Sequence, residues 1–253
     1  MGRTDMYIWD VEKGKKYEEA VQAFELGEEF RGMLSFVGAG GKTTLIYQMA
    51  REWEKRGKKV IVTTTTHMQK PKEGFVEWKE RFINNIEEQN ALEKRLWQER
   101  ILTIGRTCTD AKHQGKIEGM PGETYAFLKQ ISDVVLVEAD GAKKYPVKIP
   151  AAHEPVIPQE TDATVMLLGY RAVGKGIEQV AYRAKELAEF LRKKVADDIT
   201  FEDLQKIWFQ EGGIGKGRRG KGYYALSQCP KGAILELLEA FGQEKALFLY
   251  EEE

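Results

Sequence analysis

Cysteine is almost missing from this sequence: Cys108 and Cys229 are the two it has among 253 residues. They form no CxxC pair and no spaced metal set, which excludes a disulfide scaffold and points to a reducing compartment. Histidine is nearly as scarce, and His67, His113 and His153 are spaced unlike a zinc site. Seven prolines and 25 aperiodic glycines exclude a collagen-like chain, and 42% hydrophobic residues exclude intrinsic disorder. No charge of one sign dominates, since 39 Lys and Arg face 40 Asp and Glu. Bulk electrostatic binding of nucleic acid is therefore not expected. No apolar run approaches the ~18–20 residues of a membrane span. The first residues, M-G-R-T-D-M-Y-I-W-D, have no apolar stretch of the secretory type. The expectation is a soluble, cytoplasmic protein with no membrane partner.

What is present is an alternation of apolar runs and helical patterns, the signature of an α/β fold around a mostly parallel sheet. The expected division is a helical lead-in over residues 1–32, a nucleotide-binding core over 33–170, and a smaller C-terminal α/β portion of the same domain over 171–253. The pattern predicts a helix from Tyr17 to Leu26. A second, long helix is expected from Val76 to Arg100, burying Phe82, Ile83, Ile86, Leu92, Leu96 and Trp97. A long polar loop is expected up to Met120, and another helix over Ile177–Lys194.

The strongest motif is Ser35-Phe36-Val37-Gly38-Ala39-Gly40-Gly41-Lys42-Thr43-Thr44, between an apolar strand and a helix. Glycines let backbone N–H groups close around phosphate oxygens, the helix N-terminus and Lys42 add positive charge, and Thr43 offers a hydroxyl to Mg²⁺. It departs from G-x-x-x-x-G-K-[ST] in carrying Phe36 at the first glycine position. Lys42 is expected to be partly exposed, so that its loss would cost little stability.

A second motif, Val134-Val135-Leu136-Val137-Glu138-Ala139-Asp140-Gly141, ends an apolar strand in two carboxylates. Hard cations prefer oxygen, so Glu138 or Asp140 suits a Mg²⁺ ion opposite a phosphate loop, with the Gly141 N–H near the γ-phosphate. Thr63-Thr64-Thr65-Thr66-His67 ends the strand after the first motif's helix, where Thr66 and His67 would face the same ligand. The stiff crossing Lys148-Ile149-Pro150-Ala151-Ala152-His153-Glu154-Pro155 presents His153 and Glu154. His67 and His153 are expected on the rim of one cleft with Lys42 at its floor. The basic Gly215–Gly222 loop and Cys108 read as a solvated loop and a plain reduced thiol.

Taken in order, F-V-G-A-G-G-K-T-T, V-T-T-T-T-H, V-L-V-E-A-D-G-A and K-I-P-A-A-H-E-P-V-I-P resemble the YqeC family of selenium cofactor biosynthesis proteins. The resemblance runs from about Met33 onward and implies a three-layer P-loop NTPase-like fold. It also implies an accessory role toward selenium-dependent molybdenum hydroxylases, with the hydroxylase or its cofactor-maturation factors as partners. GTP-reading relatives of this fold carry an N-K-x-D-like stretch after a late strand. Here Ser227-Gln228-Cys229-Pro230 follows, so ATP is expected over GTP, with a cytidine nucleotide open.

The resulting expectation is a Mg²⁺-dependent NTP hydrolase or nucleotide-dependent transferase. Lys42, Asp140, His67, His153 and Glu154 are its catalytic candidates. Gly38, Ala39, Gly40, Gly41, Lys42, Thr43, Thr44, Thr66 and Gly141 are the nucleotide-binding ones, and Thr43, Glu138 and Asp140 the metal-binding ones. A nucleotide-gated docking factor and a small-molecule kinase remain as alternatives.

Overall fold

In the computed structural model, which describes residues 6–242 and 245–251, the continuous apolar runs become central strands. A strand covered on both faces has no side left for polar residues. The first half contains β1 (Met6–Asp10), β2 (Lys15–Tyr17), α1 (Ala20–Ala23), β3 (Gly32–Gly38), α2 (Lys42–Lys55), β4 (Val60–Thr64) and β5 (His67–Gln69). It continues through β6 (Phe75–Glu77), α3 (Arg81–Asn84), α4 (Ile86–Glu99), β7 (Ile101–Thr107), β8 (Lys116–Glu118), α5 (Glu123–Ile131) and β9 (Val134–Glu138). The second half holds β10 (Val147–Lys148), β11 (Ala163–Gly169), α6 (Ile177–Val180), β12 (Ala181–Tyr182) and α7 (Ala184–Leu191). The last elements are α8 (Phe201–Phe209), β13 (Lys221–Cys229), α9 (Ile234–Phe241) and β14 (Ala246–Glu251).

The main sheet runs β2-β1-β14-β13-β11-β3-β9-β4-β7-β8-β5, with β6 also on β7. From β14 to β7 every pairing is parallel, and only the flanks are antiparallel. Alternate residues of the central strands feed two apolar cores. One joins Leu34, Phe36, Val60, Val62, Val134 and Leu136 to Leu45, Ile46, Met49 and Trp53 of α2. The other joins Met33, Val37, Ile61, Val135 and Val137 to residues of α4, α5, α7, α8 and α9. Helices thus cover both faces of a mixed α/β, mostly parallel sheet.

Several expectations are corrected. The lead-in is not helical: β1 and β2 form a hairpin on β14, and only Ala20–Ala23 is helix. Residues 1–5 of that segment lie outside the described residues. A buried carboxylate from elsewhere caps the short helix, since Glu52 accepts from the Ala20 and Val21 N–H groups at 3.0 and 2.8 Å. The long helix over Val76–Arg100 is instead β6, α3 and α4. Asn85 breaks it by adopting extended backbone and accepting from the Glu87 and Glu88 N–H groups. Phe82, Leu92 and Leu96 are buried as expected, but Ile83, Ile86 and Trp97 are exposed, at 37%, 67% and 61%. Trp97 lies instead beneath the Arg100 guanidinium, 4.1 Å from the ring centre. The helix over Ile177–Lys194 is also interrupted, because Ala181–Tyr182 pairs with β10 and Arg183 takes a positive φ. The polar loop before Met120 contains β8, which pairs with both β7 and β5.

Candidate functional site

Because β3, β4, β9 and β11 are parallel, the segments that follow them all leave at one carboxyl edge of the sheet, where α/β proteins bind ligands. β9 lies between β3 and β4, with Phe36 and Thr64 both in register with Glu138. Three of the sequence motifs therefore converge at the ends of three adjacent strands.

The Gly38–Gly41 turn depends on its glycines. Gly38 and Gly40 have φ of 92° and 82°, and a Cβ on Gly40 would stand 2.5 Å from the Gly169 nitrogen. The loop is internally bonded on one side. Gly38 N–H donates to Asp140 Oδ2 (2.9 Å), Ala39 N–H to Leu167 O (2.7 Å) and Gly40 N–H to Tyr145 O (3.2 Å). The N–H groups of Lys42, Thr43 and Thr44 belong to the first turn of α2, where a helix offers no carbonyl partner. Those donors and the positive end of the helix dipole are chemically suited to an anion.

Lys42 differs from expectation. It is 4% exposed rather than partly exposed, donating to Gly38 O (2.6 Å) and pairing with Asp140 Oδ1 (3.0 Å). Asp140 is equally buried, and its Oδ2 also faces Lys148 Nζ at 3.1 Å. Lys148, fully buried, continues to Glu154 Oε2 (2.9 Å) and Gly141 O (2.8 Å). Arg183 closes the chain at 3.5 Å from Glu154. Burial alone would raise the Glu154 carboxyl, but Lys148, the Ala151 N–H and Arg183 outweigh it and hold the group below the ordinary carboxylate range. Lys148 and Arg183 escaped sequence reasoning. A lysine inside a proline-rich stretch reads as surface, and only its two carboxylate partners, distant in the chain or across a turn, justify its burial.

Thr43 and Glu138 form a different contact: the Thr43 hydroxyl donates to Glu138 Oε2 at 2.6 Å. Burial pushes the Glu138 carboxyl up, against the opposing pull of Lys42 and Thr43. Two oxygen donors meeting beside a helix N-terminus fit a hard divalent cation. Asp140 fits one less well, since both of its oxygens already face cations or an N–H.

These groups border a cavity of about 630 Å³, large enough for a small-molecule ligand. Of the sequence candidates, Gly40, Gly41, Lys42, Thr43, Thr44, Thr66, His67, Glu138, Gly141 and Glu154 line it. Gly38, Ala39 and Asp140 lie buried behind the wall. His67 is part of the lining, whereas His153 is exposed and is not. Its neighbour Ala152 is held by the basic loop, where Lys216 donates to the Ala152 carbonyl at 2.7 Å.

The second imidazole in the cleft is His113, whose ring stacks on His67 with centroids 4.0 Å apart. Burial and the neighbouring His113 both push His67 downward. Thr66 contributes a buried Oγ1 with no hydrogen-bond partner among the described residues. Lys112, Lys116, Lys143 and Lys144 join Lys42 along the wall. Lys143 and Lys144 hold φ of 46° and 66°, a conformation non-glycine residues reach only with a tight turn's help. Five lysines against two glutamates make the cleft attractive to an anion. Ser227 and Gln228, at the end of β13, stand at the same edge: the Ser227 hydroxyl donates to Gly40 O, and Gln228 lines the cleft.

Comparison with known proteins places most of these motifs inside a matched region. The family model described as YqeC protein matches residues 34–185. A curated protein of Escherichia coli (strain K12), named "Uncharacterized protein YqeC", is 32% identical over 155 residues. That alignment covers 59% of this chain and 57% of the relative, so the chain matches little more than half the relative's length. The matched region holds the glycine loop, both acidic residues, the threonine–histidine strand end and the buried Lys148–Glu154 pair. The chain belongs to the YqeC family.

Proposed function

We propose that the cleft binds a nucleoside triphosphate with Mg²⁺ and that the protein is a P-loop-type, Mg²⁺-dependent NTPase. The Thr43–Glu138 contact carries this reading. It sets a hydroxyl and a carboxylate at the N-terminus of α2, beside Lys42 and within a lysine-lined cavity. Thr43 and Glu138 would hold the ion, and a bound Mg²⁺ would supply charge neutralisation to the phosphate oxygens. The N–H groups of Lys42, Thr43 and Thr44 would grip phosphate, with Lys42 exchanging its Gly38 carbonyl partner for a phosphate oxygen. His67 and Thr66, which also line the cavity, would face the attacking group or a second substrate. Ser227–Pro230 offers no carboxylate to guanine, which favours ATP. The process served is maturation of selenium-dependent molybdenum hydroxylases, as the motif resemblance implies.

The test is calorimetric titration with ATP, GTP and CTP, with and without Mg²⁺, on the native protein, Thr43→Ala and Glu138→Gln. ATP should bind more tightly with Mg²⁺, and each variant should lose more than ~10-fold of that gain, or about 1.4 kcal/mol. No triphosphate binding, or an unaltered Mg²⁺ effect in both variants, refutes the reading.

A further inference from the structure

Beside the cleft, at His67, the fold assembles a donor set that is scattered in sequence. β5 and β8 run antiparallel with His67 directly opposite Glu118. β8 returns along β7, and the Cys108 N–H, just past the end of β7, donates to Lys116 O at 3.0 Å. This double pairing brings an imidazole nitrogen of His67, the Cys108 sulfur and a Glu118 carboxylate oxygen within 4.8 Å of one another. Cys108 is 8% exposed, and Arg106 holds Glu118 Oε1 at 3.1 Å. The second imidazole, His113, is stacked on His67 and fixed by Asp110 Oδ1, 2.9 Å from its Nδ1.

We propose that His67, Cys108 and Glu118 form a binding site for a borderline-soft divalent cation of the zinc type. Nitrogen, sulfur and carboxylate oxygen together suit such an ion, whereas Mg²⁺ and Ca²⁺ take oxygen alone. A tetrahedral zinc with bonds of ~2.0–2.3 Å keeps its donors roughly 3.3–3.7 Å apart, so closing the site takes side-chain rotations on the ångström scale. Binding releases the Cys108 thiol proton to solvent, because the thiolate is the ligand. Three protein donors leave a fourth position for water or an incoming ligand. His67 belongs to both the donor set and the cleft wall, so the ion stands at the edge of the anion-binding cavity. This site is separate from the Thr43–Glu138 pair and holds whether or not a nucleotide binds.

Co²⁺ titration of the full chain without nucleotide tests it, because cobalt–thiolate bonding produces a charge-transfer absorption band. One Co²⁺ per chain should generate the band, and Zn²⁺ should displace it. The band should vanish in Cys108→Ser and persist in Cys229→Ser, and His67→Ala and Glu118→Gln should weaken binding by more than ~10-fold, since even supporting residues of metal sites cost that much. Circular dichroism confirms that each variant is folded. If Cys108→Ser does not fold, the other two decide the matter. Absence of the band in the native chain, its persistence in Cys108→Ser, or unchanged affinity in both His67→Ala and Glu118→Gln overturns the proposal.

Discussion

Two lysines at the glycine loop do different work, and their partners separate them. Lys148 is completely buried between Asp140 and Glu154, and without it Glu154 would keep only Arg183, at 3.5 Å. Lys42 shares Asp140 with Lys148 but lines the cleft, where Lys148 does not. Removing one partner of a buried ion pair typically costs ~3–5 kcal/mol, because the remaining charge is left without compensation. Lys148→Ala should therefore lower stability by about that much, as read from urea denaturation. Lys42→Ala should cost less, about 1–3 kcal/mol, since Lys148 and the Gly38 N–H still hold Asp140. The order should reverse for affinity toward the proposed triphosphate, which Lys42→Ala should abolish in a calorimetric titration. Equal stability losses in the two variants would show that Asp140 does not discriminate between them.

At the scale of elements, the glycine loop and the break before α4 both follow from backbone geometry. Gly40 and Gly41 each hold a positive φ, 82° and 98°, but only Gly40 has a neighbouring backbone where a Cβ would stand. Gly41→Ala should cost the ~1–3 kcal/mol of a strained backbone. Gly40→Ala should cost more, because β11 would have to move away, and thermal unfolding of the pair measures the difference. Asn85 ends α3 and caps α4 through a single side-chain oxygen, at 2.9 and 3.1 Å from two N–H groups. Asn85→Ala should lose about 1 kcal/mol, while Asn85→Asp, which keeps the acceptor, should not. Chemical denaturation of the three forms distinguishes a cap from a passive linker. The period of apolar residues over Val76–Arg100 suited one long helix, but pairing of β6 with β7 took its start and the Asn85 cap divided the rest.

For the whole molecule, the buried charge network ties the β10–β12 crossing to the sheet edge, and its response to acid is predictable. Glu154 is held below the ordinary carboxylate range in the folded chain. Its contribution is therefore complete above the unfolded carboxyl pKa and is lost as pH falls through the lower folded value. Stability measured from neutral pH downward should fall through that acid window, and Glu154→Gln should flatten part of the fall; an unchanged slope would mean that Lys148 does not stabilise the carboxylate. The alternation of apolar runs with amphipathic stretches determined a parallel α/β sheet, because doubly covered strands admit few polar residues. Glycines beside Lys42-Thr43, and carboxylates ending the Val134–Glu138 strand, marked the edge where a site belongs, since those signals are local. Tertiary structure decided the rest. Lys148 is buried only because Asp140 and Glu154 meet there, His153 is exposed and does not line the cavity, and His67, Cys108 and Glu118 become neighbours only when β7, β8 and β5 pair. Short strands carry too little periodicity to announce their register, and in a register one residue shifted their side chains would point to the opposite face.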